Sequence, residues 1–310
     1  MVYKRGIDTV MVPPSSAQME HIRKEINEED DNKLQHNEHL LITWIECQPH
    51  FPKNYDKYFV RSFLRNSKHI LERAKRKLEH HFIVRNLYPE YFTNRSPRSK
   101  DLAKAADTVD VLVNTKLTDT GRRLIFCKLE DPDPSNFDVP AAFKWFFMLY
   151  DFLLTDPNPV AGEVAIIDGE HFNPNHLVKF VSPALKPLIT ILREAYVLRL
   201  KQIHIVNSTP FLDKLWMVIK PLLHTKVRNS IITHDTHKSL VDYFGADVLP
   251  SNYGGKCKSL REMMNDWKTI LNDNEKWFIE QESVKITEKN IRKRKEYALL
   301  PRRTWCRRQL

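Results

Sequence analysis

The middle of the sequence contains a short apolar run, VAIID at residues 164–168, which lies between Gly162 and Gly169. Three similar runs lie before and after it, at residues 124–127 (LIFC), 203–207 (IHIVN) and 230–234 (SIITH). Apolar residues recur at helical spacing between these runs, over residues 140–154, 174–196 and 210–228. Strands that alternate with long helices predict βαβ units and a mostly parallel sheet with flanking helices. Because the runs are continuous, we expect the strands to be covered on both faces.

The first hundred residues have a different pattern, in which helical spacing of apolar residues continues without strand-like alternation. Leu34, Leu41 and Ile45 share one face of a predicted helix, and Leu78 and Phe82 share one face of another. The fold class is therefore predicted to be α/β, with an all-helical N-terminal module. The predicted units are a flexible leader at 1–15, the helical module at 16–100, an α/β domain at 101–260, and a C-terminal helix with a basic tail at 261–310.

The positive charge is concentrated at the C-terminal end. The chain of 310 residues has a formal net charge of +10, and residues 281–310 carry +7 of it, from ten Lys or Arg and three Glu. Such a tail can bind anionic lipid head groups or nucleic acid, or can be solvated without a partner. Hydrophobic residues make up 42% of the chain, which is enough for a sizeable core.

The cysteines and the apolar stretches indicate an intracellular protein. The four cysteines are far apart and form no CxxC pair, which fits a reducing compartment. Residues 1–14 contain no long apolar stretch, so we expect no secretory signal. The most apolar segment, residues 141–154, is interrupted by Lys144 and Asp151 and is shorter than the roughly 20 residues that span a bilayer. Membrane contact is therefore expected to be peripheral.

The seven glycines are too widely spaced for the loops that several enzyme classes require. No GxGxxG, GxxxxGK or GxSxG motif can be written with them, which argues against nucleotide-binding enzymes and serine hydrolases. Two groups of polar residues are candidate sites: His234 with His237 for a metal ion, and Asp168 with Glu170 and His171 for acid–base catalysis. Both are more often ordinary polar residues at strand ends. We predict no catalytic residue, no metal, no cofactor and no enzyme activity.

Five segments resemble the CRAL-TRIO family in sequence and in order. They are FLR with LERAKRKL (63–65 and 71–78), AIID with His176 (165–168), IHIVNSTP (203–210), IKPLL with Lys226 (219–223) and LPSNYGG (249–255). The branch that they resemble is that of the α-tocopherol transfer, retinaldehyde-binding and clavesin-like proteins. The resemblance implies that residues 16–100 are a CRAL-TRIO-N module and that residues 101–260 are a lipid-binding domain. It also implies a cytosolic, non-catalytic carrier.

The resemblance further implies a mobile gate helix over a closed cavity, with phosphoinositide contacts beside the gate. The gate residues form an apolar stripe at helical spacing: Phe211, Leu212, Leu215, Trp216, Ile219, Leu222 and Leu223. The candidate cavity residues are Phe143, Phe146, Phe147, Tyr150, Ile166, Leu177, Phe180, Leu188, Ile191 and Leu192. The candidate phosphoinositide-binding residues are Lys68, Arg199, Lys226 and Arg228. From spacing alone, a plain core-facing helix is the favoured interpretation of the stripe, and only the family resemblance reverses this preference. The basic residues also fit scattered solvated charges.

Two departures from the family pattern bear on the ligands. Two basic positions of the phosphoinositide pattern fall on Ser67 and Ser230, which weakens the expectation of strong bisphosphate binding. Phe143 and Phe147 stand where the tocopherol-transfer branch has polar, serine-type pocket groups. A bulkier and drier pocket favours a slimmer or less polar lipid, so tocopherol itself is not predicted.

The sequence thus predicts a cytoplasmic, peripherally membrane-associated carrier of one hydrophobic lipid, which could be tocopherol-, retinoid- or phospholipid-like. Its expected partners are that lipid and an anionic membrane surface with phosphatidylinositol phosphates. The alternative is an adaptor that recruits membranes or partners through its basic surface and tail. Nucleic-acid binding through residues 292–295 and 302–303 is disfavoured, because no aromatic platform accompanies the basic cluster.

Overall fold

The computed structural model describes residues 6–28, 30–183 and 185–286. The basic tail from residue 287 onward, with its predicted partners, lies outside these residues, as do residues 1–5 of the predicted leader. The N-terminal third of the described chain is helical: α1 (Ile7–Val10), α2 (Ser16–Ile26), α3 (Asp31–Glu46), α4 (Lys57–Asn66), α5 (Leu71–Leu87), α6 (Pro89–Phe92) and α7 (Lys100–Thr108). Part of the predicted flexible leader is packed, because Ile7 and Met11 are buried.

The first helices begin at polar caps. The Ser15 side chain and Gln18 form a capping box at α2, and the carboxylates of Asp30 and Asp56 accept backbone N–H groups at the starts of α3 and α4. Helix α4 buries Phe59, Phe63 and neighbouring apolar residues against the rest of the helical module. The all-helical N-terminal module is therefore confirmed.

The sheet has five strands within the described residues, in the order β1-β2-β3-β4-β5. The strands are β1 (Val109–Leu117), β2 (Arg122–Leu129), β3 (Gly162–Asp168), β4 (Leu200–Val206) and β5 (Ile231–Thr233). Strand β1 is antiparallel to β2, and the remaining neighbours are parallel. This confirms the mostly parallel sheet and the α/β fold class. The sequence analysis did not predict β1.

The connections between the strands are helical. They and the C-terminal segment contain α8 (Val139–Leu153), α9 (Pro174–Phe180), α10 (Leu185–Thr190), α11 (Pro210–Ile219), α12 (Thr225–Arg228), α13 (Ser239–Phe244), α14 (Leu260–Asp273) and α15 (Glu275–Gln281). A π-helical turn, Ile191–Ala195, extends α10, and a 3₁₀ turn, Lys220–Leu222, follows α11. The proline in that turn ends the long helix that the periodicity predicted over 210–228.

The register of the strands assigns their side chains to two faces. Phe126, Ile166 and His204 are direct partners on neighbouring strands, so they lie on one face of the sheet. Val164 and Val206 lie on the same face, which we call the closed face. Their buried cluster includes Trp267 and Leu271 of α14, and the Tyr253 ring stacks on Phe126 with centroids 6.0 Å apart.

The opposite face is called the open face and is formed by Cys127, Ala165, Ile167, Ile203 and Ile205. It lies toward the other large apolar cluster, which combines the N-terminal helices α3–α6 with α8, the α10 region and α11. The residues that the family resemblance implies for ligand binding are mostly found on this side of the sheet.

Candidate functional site

The open face is incompletely covered at the centre of the sheet. On β3, Val164 and Ile166 of the closed face are 0% and 1% exposed, whereas Ala165 and Ile167 of the open face are only half-buried. Strand β3 is interior, with β2 and β4 as neighbours, so exposed surface there faces the layer between sheet and helices. Side chains in a filled core keep no such surface. We call the region between this surface and helices α9–α12 the cleft.

Cys127 lies on the open face of β2, beside Ile167 in the register, and its side chain is half-buried. Burial alone raises the pKa of the Cys127 thiol to about 12. The thiol packs against the cluster that contains Trp145 and Phe152 of α8, so it lies at the β2 edge of the open face and not beneath α11.

The structure brings together nine of the ten predicted cavity residues. Phe147, Tyr150, Leu188 and Ile191 are buried in the cluster on the open side of the sheet. The half-buried members that pack on this cluster are Phe143, Phe146, Leu177, Phe180 and Leu192. Aromatic rings connect them, with centroids 6.4 Å apart for Phe143 and Phe180 and 6.2 Å for Phe143 and Phe147. Whether these residues touch a ligand stays a prediction.

Ile166 is the predicted cavity residue that lies elsewhere. It is 1% exposed and belongs to the cluster of the closed face, with α14 and Tyr253. Its sequence neighbours Ala165 and Ile167 face the cleft instead, because successive side chains of a strand point to opposite faces. The sequence predicted the position of β3 correctly, but the side chain of Ile166 lies on the closed face and not on the side of the cleft.

The predicted gate stripe faces the cleft. Helix α11 starts at the Thr209 side chain, which accepts a hydrogen bond from the Leu212 N–H at 3.2 Å. Leu212, Leu215 and Trp216 are buried. The remaining members of the predicted stripe are half-buried: Phe211, Ile219, Leu222 and Leu223. The amphipathic helix thus turns its predicted apolar side inward.

The outer side of α11 also carries apolar residues, which the sequence analysis did not single out. Met217 is 72% exposed and Val218 is 41% exposed. The neighbouring helix α9 and the residue after it expose Val178 (71%) and Val181 (44%). We call these four exposed residues, on two helices that contact each other, the outer patch. Exposed apolar groups of this kind mark contacts with proteins or membranes.

Two of the four predicted phosphoinositide-binding residues meet at one carboxylate. The Glu25 carboxylate oxygen Oε1 lies 2.9 Å from Arg199 Nη2, 3.2 Å from Lys68 Nζ and 2.6 Å from Lys201 Nζ. Lys226 and Arg228 are exposed on α12, at the end of the sheet where β4 and β5 begin. Sequence reasoning missed Lys201. Its spacing of two from Arg199 at a strand start was the available signal, since such residues point the same way.

Burial and ion pairing act in opposite directions on Glu25. Burial raises its pKa, but hydrogen bonds and charge attraction from Lys201 and Lys68 outweigh burial and lower the pKa to about 2. The carboxylate is therefore ionised at neutral pH. It neutralises part of a basic cluster formed by Lys68, Arg199 and Lys201.

The polar groups weighed as catalytic or metal sites have structural partners. Asp168 accepts hydrogen bonds from the Tyr253 hydroxyl and the Asn207 amide, both at 2.9 Å, which join the end of β3 to the 249–255 loop. His234 lies 2.8 Å from His204, on the closed face. In the described part of the chain, no group of three or more His, Cys, Asp or Glu side chains is arranged to hold a metal ion.

A partly enclosed hollow of about 40 Å³ lies between the ends of α4 and α8 and strand β2. Arg65, Arg123, Tyr150 and Glu163 contribute to its lining. The Tyr150 hydroxyl donates to Glu163 Oε1 at 3.0 Å, so this wall is polar. The hollow is large enough for a few water molecules and too small for a lipid.

None of the helices in residues 6–28, 30–183 and 185–286 combines the length and the apolar character needed to cross a bilayer. Two family models match the chain: one described as the CRAL/TRIO domain at residues 111–255, and one described as a Pinta-like UBA domain at residues 28–102.

Two curated proteins illustrate the similarity. "Alpha-tocopherol transfer protein-like" of Homo sapiens is 24% identical over 261 residues, which are 84% of this chain and 75% of the relative. "Clavesin-2" of Rattus norvegicus is 26% identical over 273 residues, covering 83% of this chain and 79% of the relative. A solved structure titled "Crystal structure of Sfh5" covers 82% of this chain and 92% of its own, with 11% identity and a TM-score of 0.45, which is too distant to support an argument.

Members of the CRAL-TRIO family are lipid-binding transfer proteins rather than enzymes. The domain match covers four of the five segments on which the resemblance rested, from the 165–168 strand to the LPSNYGG loop. Residues 111–255 of the chain therefore form a CRAL/TRIO domain.

Proposed function

We propose that this protein carries one hydrophobic lipid in the cleft between the open face and helices α9–α12, and exchanges it at membrane surfaces. The observation that carries the proposal is the half-buried state of Ala165 and Ile167 at the centre of the sheet, beneath an amphipathic α11. Lipid binding is a property of the family, and the cleft provides an apolar, interior place for it.

The affinity for a lipid comes from the apolar surface that the cleft removes from water. Each buried CH₂ group contributes about 0.8 kcal/mol, so a tail of about ten methylenes gains on the order of 8 kcal/mol. No covalent step is needed. Phe143 and Phe147 narrow the cleft beside α8, which favours a slim lipid such as a retinoid or a single acyl chain over tocopherol.

Exchange requires the cleft to open where the surroundings are equally apolar. Helix α11 is suited to this, because Leu212, Leu215 and Trp216 cover the cleft while Met217 and Val218 face outward. The outer patch can enter the interfacial region of a bilayer, as amphipathic surface helices do. The exposed cations Lys226 and Arg228 lie on the next helix and would attract anionic lipids, including phosphoinositides. The protein would act in the cytoplasm, peripherally at membranes.

The test is to fill the cleft from within. Ala165→Phe places a ring at the floor of the cleft, and Ala17→Phe adds the same ring at an exposed position of α2 as a matched control. The amount of lipid extracted from protein purified from cells is measured by mass spectrometry. We expect most of the lipid to be lost in Ala165→Phe, with an unchanged circular dichroism spectrum, and none to be lost in Ala17→Phe.

An absence of extractable lipid from the unmodified protein, even after incubation with lipid vesicles, would overturn the proposal. If the membrane binding of such a lipid-free protein disappeared on removal of residues 287–310, the adaptor function would replace the carrier function. Equal lipid loads in the two variants would show that the lipid binds outside the cleft.

A further inference from the structure

Three cations from two distant parts of the chain converge on a single carboxylate oxygen. Lys68 follows α4, whereas Arg199 and Lys201 lie at the start of β4, and Glu25 is on α2. All three recorded distances, 2.6 to 3.2 Å, end on Glu25 Oε1. The four groups together carry a net charge of +2, so one carboxylate does not neutralise the cluster.

Arg199 has spare capacity to bind an anion. Its side chain is only 8% exposed, and Nη1 is buried without a hydrogen-bond partner, although Nη2 donates to Glu25. A buried guanidinium N–H without an acceptor loses its hydration and gains nothing in exchange. Burial is the largest influence on the Arg199 side chain and lowers its pKa. The carboxylates of Glu163 and Glu25 oppose this shift, and Arg73 adds charge repulsion.

The cluster is nevertheless open to solvent on one side. Glu25, Lys68 and Lys201 are 31%, 39% and 29% exposed. A ligand can therefore reach the cluster without unfolding α2. That helix is held independently, since Ile22 and Ile26 are fully buried and Gln18 donates to the Leu117 and Thr118 carbonyl groups. The Glu25 side chain can thus move away while its helix stays in place.

We propose that Lys68, Arg199 and Lys201 form an anion site for a phosphate monoester, and that Glu25 is an internal carboxylate that occupies this site until phosphate displaces it. The inference rests on the proposed phosphoinositide contact and adds Lys201 as a binding residue and Glu25 as an inhibitory one. The site would bind the phosphate of a lipid head group or of a soluble phosphate.

A phosphate group matches the cluster better than a carboxylate does. It carries a charge of about −1.5 to −2 near neutral pH and offers three acceptor oxygens, against one charge and two oxygens for Glu25. It can accept from both terminal nitrogens of Arg199 while it pairs with the two lysines. Glu25 competes because it is attached to the same chain, which gives it a high effective concentration at the site.

The experiment compares Glu25→Gln with Glu20→Gln, which removes the same charge from an exposed position of the same helix. Binding is measured to phosphatidylcholine vesicles that contain phosphatidylinositol bisphosphate and, separately, to soluble inositol trisphosphate. We expect Glu25→Gln to bind about fivefold more tightly than Glu20→Gln, because the three cations are released toward the ligand. Lys201→Met added to Glu25→Gln should abolish the gain. Thermal unfolding of each variant checks that it is folded.

Equal binding of Glu25→Gln and Glu20→Gln would overturn the inference, as would a gain that survives Lys201→Met. A gain with vesicles alone assigns the site to a lipid head group, and a gain in both arms assigns it to phosphate in general. The lipid load of the cleft is measured in parallel and should not change. Loss of cleft lipid in all samples would contradict the carrier function without affecting this inference.

Discussion

The two faces of strand β3 have the same kind of residues but different surroundings. Val164 and Ile166 pack under α14 and the 249–255 loop and are almost completely buried, whereas Ala165 and Ile167 keep exposed surface under α11. The same strand thus stabilises the fold with one face and leaves room on the other. On the proposed function, stability and ligand binding are therefore expected to be separable by mutation within these four consecutive residues.

The polar residues of the sheet follow the same division. On the closed face, His204 is 0% exposed and contacts His234, and Asp168 is tied to Tyr253 and Asn207. The central open-face positions of β3 and β4 are apolar: Ala165, Ile167, Ile203 and Ile205. Glu163, at the start of β3, is the polar exception and accepts a hydrogen bond from Tyr150. Hydrogen-bonded polar groups fix one arrangement of the closed side. The contacts of α11 on the open side are apolar, and such contacts are non-directional.

The largest expected effect comes from truncating adjacent residues on the two faces. Ile166→Ala should lower the free energy of unfolding by about 3–4 kcal/mol, because it leaves a cavity in a filled core. Ile167→Ala should cost about 1–2 kcal/mol, since part of that side chain is already exposed. Urea unfolding of both variants measures the difference. Equal losses would mean that the open face is as well filled as the closed face.

The sequence predicted β2, β3, β4 and β5 from their apolar runs and missed β1, in which polar residues interrupt the run. Strand β1 contains Asp110 and Asn114, both 1% exposed, which break its apolar pattern. Arg261 pairs with the Asp110 carboxylate at 2.8 Å, and the Asn114 amide donates to the Val248 carbonyl group. These partners are more than 130 residues away in sequence, so no local pattern shows that the polar residues can be buried.

The sequence also predicted only those parts of the candidate site that depend on local spacing. The apolar stripe of α11 follows from local spacing, and its inward orientation agrees with the structure. The alternation of side chains along β3 places Ile166 on one face and Ala165 and Ile167 on the other. It does not predict which face is open, because that depends on where α11 and α14 pack. The ion pair of Glu25 with Lys201 joins residues 176 positions apart and depends on how α2 docks.

The second prediction tests the closed face with acid. Burial and, secondarily, the neighbouring His234 lower the pKa of His204 to about 4, below the usual value of about 6.5 for an unfolded chain. Its contribution to stability is complete above about pH 6.5 and is lost as the pH falls toward 4. Between pH 7 and pH 5 the protein should lose about 2 kcal/mol through this residue. His204→Phe should lose correspondingly less over the same interval in urea unfolding.

Other histidines with lowered pKa values, such as His81, titrate in both proteins, so the difference between them isolates His204. An identical pH dependence of the two proteins would contradict the assignment. The lipid load should change little in His204→Phe, because this side chain lies on the opposite face of the sheet from the cleft.

The third prediction concerns the outer patch above the open face. Met217→Glu replaces a residue that is 72% exposed, so the free energy of unfolding should change by less than about 0.5 kcal/mol. Binding to phosphatidylcholine vesicles should weaken about tenfold, because the apolar Met217 side chain no longer inserts into the bilayer and a negative charge takes its place. Ile279→Glu, at a 51% exposed position of α15, is the matched control and should leave vesicle binding unchanged. Equal weakening in both variants would remove the outer patch as the membrane contact.

The smallest effect is expected at the exposed cations beside the gate. Lys226→Ala with Arg228→Ala removes two charges from α12, and neither residue is buried. Binding to vesicles that contain phosphoinositide should weaken about fivefold at low salt and by less at physiological salt, because exposed charges are screened. The lipid load should stay intact, since the side chains of Lys226 and Arg228 are exposed to solvent. Unchanged vesicle binding would leave Lys68, Arg199 and Lys201 as the basic residues that contact the membrane, and would confine the phosphate contact to the cluster that Glu25 occupies.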